Sequence, residues 1–77
     1  MKITNLLTDL TEELEIEVSI EITTQFEDIE EWDSMGAMVL IGYVSDNFGI
    51  TLTGNDIEKL TDIQSLVTRI GEDNFEL

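Results

Sequence analysis

Two stretches at opposite ends of this chain repeat apolar residues at helical spacing, and that periodicity constrains the fold more than any other feature. Ile3, Leu6, Leu7, Leu10 and Leu14 form one stripe, which predicts a helix over residues 2–14 with Asp9, Thr11, Glu12 and Glu13 largely outside it. Ile63, Leu66, Val67 and Ile70 form the other, behind a cap at Thr61 or Asp62 and ahead of a stop at Gly71. Neither stripe can stay in water, and two amphipathic helices on a short chain bury their stripes against each other.

The middle of the chain supplies the third wall. Residues 35–48 run MGAMVLIGYVSDNF, with Met35, Met38, Val39, Ile41, Tyr43 and Phe48 leaving few polar positions. Asp33 or Ser34 can cap this helix, and Gly49 suits a left-handed stop. A helix apolar around most of its surface packs on one side and needs cover, at least at times, on the other. Asn55 or Asp56 can cap a short helical turn holding Ile57 and Leu60, after a linker over residues 50–54 that points Ile50 and Leu52 inward. The tail after Gly71 reads as frayed or as one more turn.

Residues 15–22 are ambiguous. Ile16, Val18, Ile20 and Ile22 alternate with polar residues as in a half-buried strand. No second run pairs with it, and an isolated strand has no partners for its backbone groups. The segment therefore reads as an extended connection that sends aliphatics into the core, with Phe26, Ile29 and Trp32 as further anchors. The expected fold is all-α: a small up-down four-helix bundle, three main helices and one short one, with a long first loop. At 77 residues the whole chain, 1–77, suits one domain.

Composition narrows what such a bundle can do. Asp and Glu total 18 against 3 Lys and Arg, a formal charge of -15. Nucleic-acid backbones and anionic membrane surfaces need the opposite sign, so neither is expected as a partner. Basic protein patches are favoured instead. Self-repulsion at this charge predicts a melting temperature that rises from low salt to about 0.15 M salt. There is no cysteine and no histidine, which removes disulfides, thiolate metal sites and the usual general base near neutral pH. The longest apolar run is about half of the ~20 residues a membrane span needs. No signal peptide is visible, and the chain reads as cytoplasmic.

Ser34 stands out by position: a helix start, next to an acid, between a long connection and the most apolar helix. Its hydroxyl can be esterified. With no base nearby in sequence and no histidine anywhere it is a poor nucleophile alone, so another enzyme would have to activate it. The plain alternative is a simple helix cap. Paired acids such as Glu12 and Glu13, or Glu30 and Glu31, come without a partner set or pocket, which argues against an enzyme. A calcium loop over residues 46–58 fails too, because Phe48 and Ile50 take ligand positions and Thr51 stands where glycine is needed.

The segment WDSMGAMVLIGYVSDNFGI resembles the modification segment of acyl carrier proteins, the phosphopantetheine-binding family. The family's Asp-Ser-Leu or Asp-Ser-Met triplet corresponds to Asp33-Ser34-Met35, and its Phe-Gly-Ile-like turn to Phe48-Gly49-Ile50 at matching spacing. Phe26 and Ile29 look like its loop anchors, and residues 52–70 like its third and fourth helices. The resemblance implies a carrier, not an enzyme. A separate phosphopantetheinyl transferase, using magnesium, would transfer 4'-phosphopantetheine from coenzyme A to Ser34. Acyl or aminoacyl cargo would ride on it as a thioester, loaded and used by ligase, synthase or transferase partners. Asp33 would orient the segment and help position the transferase near metal and phosphate. Met35 would enter an apolar pocket on a partner, with Met38 and Val39 in the same patch, although Met38 suits core packing equally. Trp32 resembles the Trp-Asp-Ser form of specialised carriers, and burial against the loop suits it as well. The second helix lacks most of the acidic stripe of fatty-acid carriers, and Glu30, Glu31 and Trp32 replace the usual Gly-Leu pair. A dedicated pathway is therefore favoured, with polyketide-like, aminoacyl-type or surface-glycan acylation as examples, and a monomeric carrier. The rival reading is an acidic helical adaptor or inhibitor that binds a basic surface and is never modified.

Overall fold

The computed structural model describes residues 1–76; Leu77, the end of the expected tail, lies outside them. Four α-helices follow in order: α1 Ile3–Glu13, α2 Ser34–Phe48, α3 Gly54–Lys59 and α4 Ile63–Ile70. Single 3₁₀ turns lie at Phe26–Asp28 and Glu72–Asn74. There is no sheet among the described residues, only isolated bridges between Lys2 and Glu76 and between Gln25 and Asp62. The fold is the small all-α bundle with a long first loop that the periodicity implies.

The stripes bury as their spacing requires. Leu6 and Leu10 of α1, Leu40 and Val44 of α2, and Ile63, Leu66 and Val67 of α4 are at most 1% exposed and belong to one core cluster. α1 and α2 run antiparallel. The Tyr43 hydroxyl donates to Asp9 Oδ2 at 2.7 Å midway along the pair. The end of α1 meets the start of α2, where Leu14 Cδ2 lies 3.5 Å from the position a Gly36 Cβ would take.

The long connection is held by more than its apolar anchors. Ile16, Ile20, Phe26 and Ile29 are buried as expected, but Val18 is 61% exposed, so only part of the alternation faces inward. The loop also completes α4. Ile63 N–H donates to Thr24 O at 3.0 Å and Gln64 N–H to Ile22 O at 2.9 Å. In return, Phe26 N–H donates to Thr61 O at 2.8 Å. The first amides of a helix have no partner inside it, and here loop carbonyls take two of them while the Asp62 carboxylate takes the Ser65 N–H.

Several boundaries differ from the periodic reading. α1 stops at Glu13, with Leu14 as its C-cap. α3 is capped by Thr53, not by Asn55 or Asp56, because Thr53 and Asp56 bond each other's backbone N–H in a reciprocal capping box. Gly54 therefore opens α3 and Leu60 closes it. Arg69 then clamps Asp56 from α4, with Nε to Oδ1 at 2.9 Å and a terminal nitrogen to Oδ2 at 3.0 Å. The tail takes one extra turn and docks. Phe75 is buried, 5.3 Å centroid to centroid from Phe48, and Glu76 N–H donates to Met1 O at 2.8 Å.

Candidate functional site

Asp33, not Ser34, is the N-cap of α2. Its backbone is extended, and its Oδ1 accepts the Gly36 N–H at 2.8 Å. This leaves Ser34 as the first helical residue, exposed, with no hydrogen bond to its hydroxyl among the described residues. The Ser34 and Met35 amides also lack intramolecular acceptors among the described residues, while Ala37 N–H reaches Asp33 O at 2.9 Å. A hydroxyl at the positive end of a 15-residue helix, beside free N–H donors, suits a phosphate ester: the helix end stabilises anionic oxygen and nothing occludes the oxygen that would carry it. The local chemistry thus fits a phosphate-linked arm on Ser34.

The flanks of Ser34 are set by the packing beneath. Gly36 is buried, with Leu14 and Trp32 against it. Trp32 is half-buried and lies 4.6 Å centroid to centroid from Phe26, tilted by 43°, so it joins the loop to the start of α2. Met35 and Met38 are 75% and 72% exposed, and Val39 is 38% exposed. Of the two uses open to Met38, core packing is excluded. The buried side of α2 is Gly36, Leu40, Tyr43 and Val44, and its outer side is apolar with Asp46 as the one carboxylate of the helix.

The fold sets residues of α1 and the loop, to which no local pattern pointed, beside Asp33, Met35 and Val39. An open groove of about 350 Å³ beside Ser34 is lined by Glu13, Leu14 and Glu15 from the end of α1, Glu31 and Asp33 from the loop, and Met35, Gly36 and Val39 from α2. Glu15 sits there with φ of 54°, a left-handed conformation. The cause is a Schellman ending to α1: Ile16 N–H donates to Thr11 O at 2.9 Å and Glu15 N–H to Glu12 O at 3.3 Å. That position normally holds glycine, and without one the turn has no signature in the sequence.

Among the described residues no group of three or more His, Cys, Asp or Glu is arranged to hold a metal ion, and no helix is long and apolar enough to cross a membrane.

Comparison with known proteins bears on this geometry directly. Residues 2–70 match the family described as "Phosphopantetheine attachment site". The solution NMR structure of a holo acyl carrier protein from Geobacter metallireducens superposes with a TM-score of 0.72 at 20% sequence identity, covering 90% of this chain and 80% of that one. At that identity the likeness speaks for the fold alone. No curated protein sequence matches the chain significantly.

Proposed function

We propose, since the chain belongs to the phosphopantetheine attachment site family, that it carries acyl or aminoacyl intermediates on a 4'-phosphopantetheine arm joined to Ser34. Domains of this family are non-catalytic, and the work of this chain is to bear the arm and be recognised. The observation that carries the assignment to Ser34 is its exposed, uncommitted hydroxyl at the start of α2, with Asp33 holding the cap beside it. Ser34 supplies the oxygen that becomes bonded to phosphorus as a pyrophosphate bond of coenzyme A breaks. Its proton passes to a base of the transferase and adenosine bisphosphate leaves. The arm's terminal thiol, when present, holds cargo as a thioester, so the chain needs no cysteine of its own.

Asp33 fixes the helix start, and through it the direction in which Ser34 faces. Met35, Met38 and Val39 form the apolar patch that partners read, and Trp32 anchors the loop below them. A cytoplasmic, single-domain, monomeric carrier of a dedicated pathway is part of the same reading. The dedicated pathway is supported by an outer α2 face of Met35, Met38, Val39 and Gly42, where selection by apolar shape prevails over charge.

Intact mass after incubation with coenzyme A, magnesium and a broad-specificity phosphopantetheinyl transferase tests the assignment. One phosphopantetheine addition is expected on the wild type and none on Ser34→Ala. No addition to the wild type, with the transferase of the native organism also failing, would overturn the carrier reading in favour of an unmodified adaptor.

A further inference from the structure

The groove beside Ser34 combines apolar and acidic side chains. Leu14, Met35, Gly36 and Val39 line it together with Glu13, Glu15, Glu31 and Asp33, and none of the lining residues is basic. Two of the carboxylates are held in place by backbone donors: Asp33 by the Gly36 N–H at 2.8 Å and Glu31 by the Glu17 N–H at 3.3 Å. The Glu15 backbone, though not its carboxylate, is set by the Schellman turn. The chain has little with which to neutralise these carboxylates, since its cations are Lys2, Lys59 and Arg69, and Arg69 is bound to Asp56.

We propose that this groove docks a segment of a partner protein that presents a lysine or arginine next to an aliphatic or aromatic side chain. The apolar side chain covers Leu14, Met35 and Val39, and the cation meets Glu13, Glu15 and Glu31. The inference rests on the carrier reading for its purpose, which is to bring a partner's active site to Ser34. It moves the charged part of recognition off the length of α2 and onto the junction between α1 and the loop. Charge complementarity selects the occupant. A second copy brings the same acidic side chains and a formal charge of -15 against its like. An anionic lipid surface is repelled for the same reason. A metal ion alone would leave the methionine and leucine surface uncovered, whereas an amphipathic pair of side chains satisfies both halves of the groove.

The test uses the full chain carrying Ser34→Ala, which cannot be modified on that residue, so its outcome is separate from the mass experiment. Amide NMR spectra are recorded while a helical peptide with leucine and arginine on one face is titrated in. Shifts are expected to concentrate in residues 13–16 and 31–39. The triple variant Glu13→Gln, Glu15→Gln, Glu31→Gln is expected to weaken binding about tenfold, from three groove charges of ordinary surface strength. A control triple, Glu58→Gln, Glu72→Gln, Asp73→Asn, removes the same charge from α3 and the C-terminal turn and is expected to weaken it about twofold or less. A peptide with serine in place of leucine is expected to bind more weakly than the parent. Shifts scattered over the acidic surface, equal losses in the two triples, or indifference to the leucines would overturn the proposal. The spectra themselves report whether each variant is folded.

Discussion

Replacing Glu15 with glycine should make this protein more stable. Glu15 occupies the left-handed position that ends α1, at φ of 54°. An L-residue with a Cβ pays about 1–2 kcal/mol there through the clash with the following carbonyl oxygen, and glycine does not. Against that gain stands the greater freedom of glycine in the unfolded chain, about 0.4–1 kcal/mol. Removing one of several neighbouring carboxylates adds a few tenths of a kcal/mol more. The net expectation for Glu15→Gly is a gain of about 1 kcal/mol. With an unfolding entropy of about 2.1 cal/mol/K per residue, this corresponds to a rise of about 6 °C in Tm for a chain of this size. The assay is thermal unfolding followed by circular dichroism, with Glu15→Ala alongside. Alanine removes the same charge but keeps the Cβ, so it is expected to stay within about 0.5 kcal/mol of the wild type. If alanine gained as much as glycine, charge rather than backbone strain would be the source. If glycine destabilised, the reasoning would fail. Both variants lose a groove carboxylate and should bind the leucine–arginine peptide more weakly, which would make the strained glutamate a trade of stability for recognition.

Three further outcomes follow from the same geometry. Gly49→Ala should cost about 1 kcal/mol in urea unfolding, since φ is 67° and the added Cβ would touch nothing within 4 Å, whereas Gly42→Ala, on an open face inside α2, should gain about 0.5–1 kcal/mol. Burial, followed by the hydrogen bond to Asp9, raises the ionisation of Tyr43 well above its ordinary 10.0, so the unfolded chain loses that proton first. The associated stability should be complete below pH 10.0 and decline as pH rises toward the folded value, a decline that Tyr43→Phe abolishes; the phenolate absorbance of the chain's single tyrosine reports the titration. The Arg69 guanidinium, followed by the Thr53 backbone N–H, holds the Asp56 carboxyl well below the usual carboxylate range. Its contribution is therefore present above the ordinary 3.8 and lost only as pH falls through the depressed folded value, so the deficit of Asp56→Asn in urea unfolding should persist at pH 3.8 and narrow only in stronger acid.

Much of this was legible in one dimension because it depends on neighbours in sequence. The stripes of α1 and α4, the aspartate before Ser34 and the glycine after Phe48 act within a turn or two, and residue type and spacing suffice to read them. The triplet Asp33-Ser34-Met35, with its helix and turn, stands out as a candidate site through its resemblance to the phosphopantetheine-binding family. The cap of α3 is also local, yet spacing points to Asn55 or Asp56 and not to Thr53, because several cap formers stand in a row at residues 53–56 and only the reciprocal Thr53–Asp56 bonds choose among them.

What only the tertiary structure decided involves partners distant in sequence. Periodicity showed α2 to be apolar nearly all round but could not say that Leu40 and Val44 face the core while Met35 and Met38 face water; α1 and α4 make that choice by where they pack. The order of the long loop rests on carbonyls of Ile22 and Thr24 that satisfy amides of α4, about forty residues on. Phe75 is buried because Phe48 is there to receive it. The groove beside Ser34 exists because an antiparallel α1 ends where α2 begins, which sets Glu13 and Glu15 next to Glu31 and Asp33 across a long stretch of chain. Local spacing determines which faces are apolar and where helices start and stop, whereas which faces meet depends on the whole core closing at once.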